Sequence, residues 1–281
     1  MGFGLAACAG LRASPSAAQE DKARRTELVW HLEDLRGGFC IQLLVDSTAV
    51  ARGLAADLRP IRADQVPDLH PALRRVLQNQ PEFGSWIPSR LCLYFFGGVD
   101  AGAARVQSKD SRKAPLLAAW TAAVAEAGSG TRRDVALEFV SGSGRLARAA
   151  QSAGLSLIEA RSLIGMVPFV SEEGVPSGDS RYQLKIGKTL ITWDGRPVGD
   201  STRVSEPIET DWMARGRRSE RSSRADWWHA RLMLSPAWSR GMAGSLRVQG
   251  RDDFAQALKA SPIRFVGPLY SQGGGEIHFD R

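Results

Sequence analysis

The side chains able to do chemistry are few and scattered. Four histidines, His31, His70, His229 and His278, stand singly. They lack the His-x-x-x-His or paired-cysteine spacing that gathers ligands around one zinc ion, so the sequence predicts no metal site. Asp252-Asp253 and Glu172-Glu173 are adjacent carboxylates, but acid–base pairs are made by approach in space, and these positions suit a helix cap and a loop. Gly142-Ser143-Gly144 is too short for a phosphate cradle or a nucleophile elbow and predicts a strand-to-helix turn capped by Ser143. Nothing in the sequence asks for a cofactor.

One cluster is denser. The stretch ARGRRSERSSRAD supplies Arg215, Arg217, Arg218, Arg221 and Arg224 directly ahead of Trp227-Trp228-His229, so ring stacking and anion contact are brought together. A surface of this kind suits an acidic ligand or single-stranded nucleic acid. Glu220 and Asp226 dilute its charge, and a core place at the start of the next strand is the other reading of Trp228. The formal net charge of +7 is spread along the chain among acids, which argues against a nucleic-acid partner. Trp86, in the Pro/Gly loop PEFGSWIPSR, is a second candidate contact, as the cap of a cavity or the plug of an ordinary core.

Cysteine usage bears on location. Leu5-Ala6-Ala7-Cys8 resembles a bacterial lipobox, in which Cys8 becomes the lipidated first residue, and Ser16-Ala17-Ala18 resembles the small-residue site of a secretory signal. Only seven residues precede Cys8, short of a charged and apolar leader, so a disordered Ala/Gly-rich terminus stays open as the alternative. The expectation is an export segment over 1–19, a tether over 20–36 and one domain over 37–281, placed in the periplasm or lipid-anchored at the envelope. Cys40 and Cys92, each in an apolar strand-like run, are then an even pair, either disulfide-bonded or two buried thiols. No window holds the roughly 18 to 20 apolar residues of a spanning helix.

The elements that must position these residues follow from pattern. Residues 39–45 and LCLYFF read as buried strands, and Asp46 caps a short helix. Helices are expected from Pro71 to Leu77, over RLARAAQSAG after Ser143, and over DDFAQALKAS. DVALEFV, LSLIEARSLIG, HARLMLSPAW, GSLRVQG, PIRFVGPLY and GEIHF read as strands. YQLKIGKTLITWDGRPVGD alternates around Gly187, with Asp194-Gly195 as a turn signal. Strands broken by short helices, without regular strand–helix alternation, predict an α+β domain with a mostly antiparallel curved sheet.

The phrase LLVDSTAVARGLAADLRPI, together with DVALEFVSGSGRLARAAQSAGLSLIEA and ASPIRFVGPLY, resembles the acetoacetate decarboxylase-like superfamily over residues 38–279. That resemblance implies a curved antiparallel sheet around a central cavity and supports a strand at the centre of APLLAAWTAAVAEAG. It also implies a lysine of lowered pKa that forms a Schiff base with a keto acid. The signature Gly-Phe-Pro-Lys is missing; Lys109 and Lys113 in QSKDSRKAP, beside Arg112, are the nearest substitutes and also read as exposed loop residues. The leading expectation is therefore an exported envelope protein that binds a small ligand or envelope component without covalent chemistry. The alternative is a lysine-dependent decarboxylase-like enzyme.

Overall fold

The computed structural model describes residues 27–52, 54–108, 114–166, 169–170, 176–177, 179–216, 226–261 and 264–281. Long strands dominate. The first half contributes β1 (Glu27–Val45), β2 (Leu58–Pro60), β3 (Ile87–Asp100), β4 (Arg105–Gln107), β5 (Leu116–Glu126), β6 (Arg132–Ser141), β7 (Ile158–Glu159) and β8 (Arg161–Met166). The second contributes β9 (Phe169–Val170), β10 (Pro176–Ser177), β11 (Ser180–Ile186), β12 (Thr189–Arg203), β13 (Ile208–Arg215), β14 (Trp227–Gln249), β15 (Arg264–Val266) and β16 (Leu269–Asp280). Among the described residues four short α-helices punctuate them: α1 (Ser47–Ala51), α2 (Pro71–Asn79), α3 (Gly144–Ser152) and α4 (Asp253–Ala260).

These strands correct the expected α+β class. Fourteen of them form one sheet, and the described helices are short insertions between its strands. The sheet is mixed: β6 runs parallel to both β13 and β7, while its other neighbours pair antiparallel. The body is mostly β because segments that looked short from their local pattern join into strands of up to 23 residues, as in β14.

The sheet closes on itself. Following hydrogen-bonded neighbours, β1 meets β3, β3 meets β5, β5 meets β6 and β6 meets β13; β13 then pairs with β14, β14 with β16 and β16 with β1. Seven strands thus make a barrel whose interior is packed with alternate side chains, as closure of so small a barrel demands. Trp30, Tyr94, Phe96, Leu117, Phe139, Trp212, Trp228, Leu232, Ile277 and Phe279 meet there. The opposite faces of β1, β3 and β5 carry Phe39, Ile41, Leu91, Leu93 and Trp120, which pack against Tyr182, Trp193, Phe254 and Leu258 from β11, β12 and α4. A smaller core of Leu44, Val66, Leu69 and Leu73 lies under α2.

Local chemistry explains the helices. Asp46, Ser143 and Asp252 each accept a backbone N–H of the first turn, which begins α1, α3 and α4 where the sequence places them. Two expectations fail. Residues 27–36, read as a tether, are the first part of β1: Trp30, Leu32 and Leu35 are buried, while His31, Glu33 and Asp34 are solvated. Asp194-Gly195 is no turn but lies inside β12, opposite Ser245 and Gly244 of β14, and the turn is made at Gly187-Lys188 between Ile186 and Thr189. Gly187 takes a φ of +55°, which a residue with a side chain resists, while Asp194 is fully occupied in pairing with Arg181 and Arg247.

Candidate functional site

One mouth of the barrel is polar. It is framed by Gln42 of β1, Ser89 and Arg90 of β3, Thr121 of β5, Arg132 and Asp134 of β6, and Glu209, Thr210 and Asp211 of β13, with Asp68, Leu69 and His70 ahead of α2 along one side. The cleft between them measures about 440 Å³. Below it a smaller pocket of about 20 Å³ enters the barrel between Cys92, Tyr94, Phe96, Leu117, Phe139, Trp212, Leu232 and Ile277. Arg90, Thr121 and Thr210 line both spaces, so they stand where the polar mouth gives way to the apolar interior.

Strand alternation sets this division. Arg90, Cys92, Tyr94 and Phe96 are every second residue of β3 and point to the same side. The charge stands at the mouth and the rings go inward. Arg90 is half-buried and donates from Nη2 to Asp134 Oδ2 at 2.7 Å. A guanidinium has five N–H donors in a planar fork, so one bond to Asp134 leaves capacity for a second anion. The other mouth acids are largely committed. Asp68 pairs with Arg132, and Asp211 pairs with Arg231 at 3.3 Å. Ser89 braces the wall: its hydroxyl donates to the Thr121 carbonyl and accepts the Trp120 indole N–H, each at 2.7 Å.

His70 is the N-cap of α2, where Nδ1 accepts the Ala72 N–H at 3.2 Å. Partial burial, followed by the charges of Arg75 and Arg90, lowers its pKa and favours the neutral ring that can accept this bond. Tyr94 is deeply buried, which pushes its pKa up to about 12 and leaves a neutral hydroxyl at physiological pH. That hydroxyl lies 3.3 Å from Cys40 Sγ. Cys40 and Cys92 face one another on β1 and β3, with Cα atoms 4.0 Å apart, and are joined as a disulfide.

The residues singled out in the sequence are distributed differently. Trp228 is wholly buried inside the barrel, and Trp227 is half-buried with Arg215 5.9 Å from its ring. Both stand where β14 begins, opposite Ala214 and Arg215, at the end of the barrel away from the cleft. Arg217, Arg218, Arg221 and Arg224 lie outside the described residues, as do Cys8, Lys109 and Lys113. The residues flanking the two lysines are anchored at the far end of β3, where Ser108 donates to the Gly97 carbonyl and Phe96 to that of Pro115. Trp86 packs edge-to-face on Phe83 at 5.5 Å over the small core under α2 and does not line the cleft. Arg90 was missed because one charge at the head of an apolar run reads as a strand flank. The alternation from Arg90 to Phe96 is the signal that marks it.

No family model matches this chain, and no curated protein does. Solved structures do. The acetoacetate decarboxylase of Legionella pneumophila subsp. pneumophila str. Philadelphia 1 superposes with a TM-score of 0.50 at 8% identity, over 89% of this chain and 84% of its own. The fold is acetoacetate decarboxylase-like. Two further structures of this fold align less closely. The enduracididine biosynthesis enzyme MppR, complexed with pyruvate, gives 0.49 at 13% identity over 91% of this chain and 90% of its own. An acetoacetate decarboxylase-like enzyme from Sphingomonas wittichii RW1 gives 0.46 at 9% identity, over 91% and 90%. Within this acetoacetate decarboxylase-like barrel, no lysine lines the cleft or the inner pocket among the described residues. Among those residues there is also no group of three metal-binding side chains, and no helix is long and apolar enough to cross a membrane.

Proposed function

We propose that the protein handles a small carboxylate of the oxo-acid class, held by Arg90 at the barrel mouth with its apolar part directed inward. The observation behind this reading is the position of Arg90, a half-buried guanidinium shared by the polar cleft and the apolar pocket. A planar fork matches a carboxylate in two parallel hydrogen bonds, and partial burial strengthens the attraction relative to open water. The fold shared with the Legionella acetoacetate decarboxylase favours an oxo-acid enzyme over the non-catalytic envelope binder expected first from sequence.

Schiff-base chemistry needs a neutral lysine amine, and the described lining supplies none; Lys109 and Lys113, whose flanking residues are anchored at the end of β3 away from Arg90, are the candidates that the sequence offers for a separate amine step. Titration calorimetry with butyrate and acetoacetate, followed by borohydride reduction and peptide mass analysis, tests both parts. Saturable binding lost in Arg90→Met, and also in Arg90→Met combined with Asp134→Asn to avoid stranding a carboxylate, is the expected result. A reduced acetoacetate adduct on Lys109 or Lys113 establishes the amine chemistry, and failure of both acids to bind refutes the carboxylate site. Export to the envelope is a separate part of the proposal. The Cys40–Cys92 disulfide supports it, because disulfides persist in oxidising compartments. Fatty-acid labelling that disappears in Cys8→Ala is its test.

A further inference from the structure

We infer that Trp212 reads the chain of the bound carboxylate, selecting ligands that carry a hydrogen-bond acceptor such as a ketone or ether oxygen in their apolar part. The inference rests on the carboxylate site at Arg90. Trp212 is buried on β13, only 5% exposed, and its ring lines the inner pocket. Its indole Nε1–H has no acceptor among the described residues. Trp30, Trp193, Trp227 and Trp228 share that condition, but none of them lines the pocket or the cleft. An indole N–H donates only, so a ligand atom that satisfies it must accept.

The surroundings sharpen the selection. Apart from Arg90 and the two threonines at its entrance, the pocket is walled by Cys92, Tyr94, Phe96, Leu117, Phe139, Leu232 and Ile277. Its volume of about 20 Å³ admits one small group and not an aromatic one. A short chain anchored at Arg90 therefore brings a carbonyl or ether oxygen into a largely apolar place beside the unpartnered Trp212 donor. A plain alkyl chain of the same length leaves that donor unpaired, which is the costly arrangement for a buried polar group. A chain without an acceptor is thus disfavoured by an unmet hydrogen bond rather than by shape.

Levulinate and valerate are a matched pair for the test, equal in chain length and differing in one ketone oxygen. Calorimetry on the oxidised full chain should show levulinate binding roughly tenfold more tightly, the ratio expected for one buried hydrogen bond made against one left unmade. In Trp212→Phe, which keeps a ring and removes the donor, the preference should vanish while valerate still binds. With tryptophan isotopically labelled in the wild-type protein, one indole N–H resonance should move downfield with levulinate and stay in place with valerate. That readout needs no variant to fold. Equal affinity of the wild type for both acids overturns the inference and leaves the carboxylate site standing, as does a preference that survives Trp212→Phe. Failure of both acids to bind the wild type removes the site itself, and the role of Trp212 with it.

Discussion

Opening the Cys40–Cys92 disulfide should cost the protein most of a small domain's stability without disturbing the strands it joins. The two cysteines are 52 residues apart in sequence and directly opposite in the β1–β3 ladder, which pairs continuously from Gly37 to Val45. Backbone hydrogen bonds and the buried side chains of both strands hold that ladder in the folded state, so the bridge adds little there. Its effect lies in the denatured chain, where it closes a loop of this length and removes about 4 kcal/mol of conformational freedom at 25 °C. With a urea dependence of about 2–3 kcal/mol per molar, the unfolding midpoint should fall by about 1.5–2 M on reduction. Urea unfolding of oxidised protein, of protein reduced with dithiothreitol, and of a Cys40→Ala, Cys92→Ala double variant would measure it, with thiol titration to confirm each redox state. The reduced and double-variant proteins should agree and keep their native far-ultraviolet spectrum. A midpoint shift under about 0.5 M with both thiols titrated would refute the denatured-state argument.

Three further outcomes follow from the packing. At Gly275 an added Cβ would lie 2.1 Å from the Met233 carbonyl oxygen, so Gly275→Ala should destabilise by about 2–3 kcal/mol or more; at Gly102, where nothing lies within 4 Å but φ is +69°, the same change should cost only about 1 kcal/mol, both read by urea unfolding. Trp228→Ala empties the barrel interior of a wholly buried ring and should cost about 3–5 kcal/mol, well above Trp86→Ala at its half-buried site. His278 has its pKa raised chiefly by its hydrogen bond to Glu276 and further by Glu27. Its folded-state pKa exceeds the unfolded value near 6.5, so its contribution is full below that pH and is lost as pH rises through the raised value. A proton-resonance titration of the ring should show the upward displacement, and His278→Gln should flatten the pH dependence of stability in that window.

What the sequence discloses about this fold is what short-range chemistry controls. The caps at Asp46, Ser143 and Asp252 are satisfied within three residues, and the helices they open are found where those residues stand. The barrel is a different matter. Its closure pairs β1 with β16 and β6 with β13, contacts between segments far apart in sequence that no local pattern encodes. The polar look of residues 27–36 hid a strand because half of its side chains face solvent, although Trp30 and Leu32 already alternate with His31 and Glu33. Gly273, Gly274 and Gly275 are needed because β16 passes so close to Ser235, Leu32 and Met233 that a Cβ would meet a carbonyl oxygen at each, a requirement that no local pattern displays. For the site, sequence directs attention to Trp86, Trp227 and the arginine-rich loop. The mouth is assembled from β1, β3, β5, β6, β13 and the segment ahead of α2, brought together only by closure.

That closure also places a weak seam beside the cleft. Every other junction of the barrel is a run of paired residues, while β6 and β13 meet in a single registered pair, Val135 with Met213. Asp134 and Trp212, one residue from each partner, line the cleft and the pocket. A carboxylate held by Arg90 with its chain acceptor on Trp212 would therefore link β3 to β13 across the junction with the fewest backbone bonds. Local opening at that seam must break such a link, so a ligand at a hundred times its dissociation constant should oppose opening by about 2.7 kcal/mol, slowing exchange roughly a hundredfold. Hydrogen exchange followed by peptide mass analysis can compare the Val135 and Met213 segments with β12, which the ligand does not touch. Slowing confined to the seam supports a ligand that spans it. Binding without any change in seam exchange would mean that the ligand engages Arg90 alone and never reaches β13.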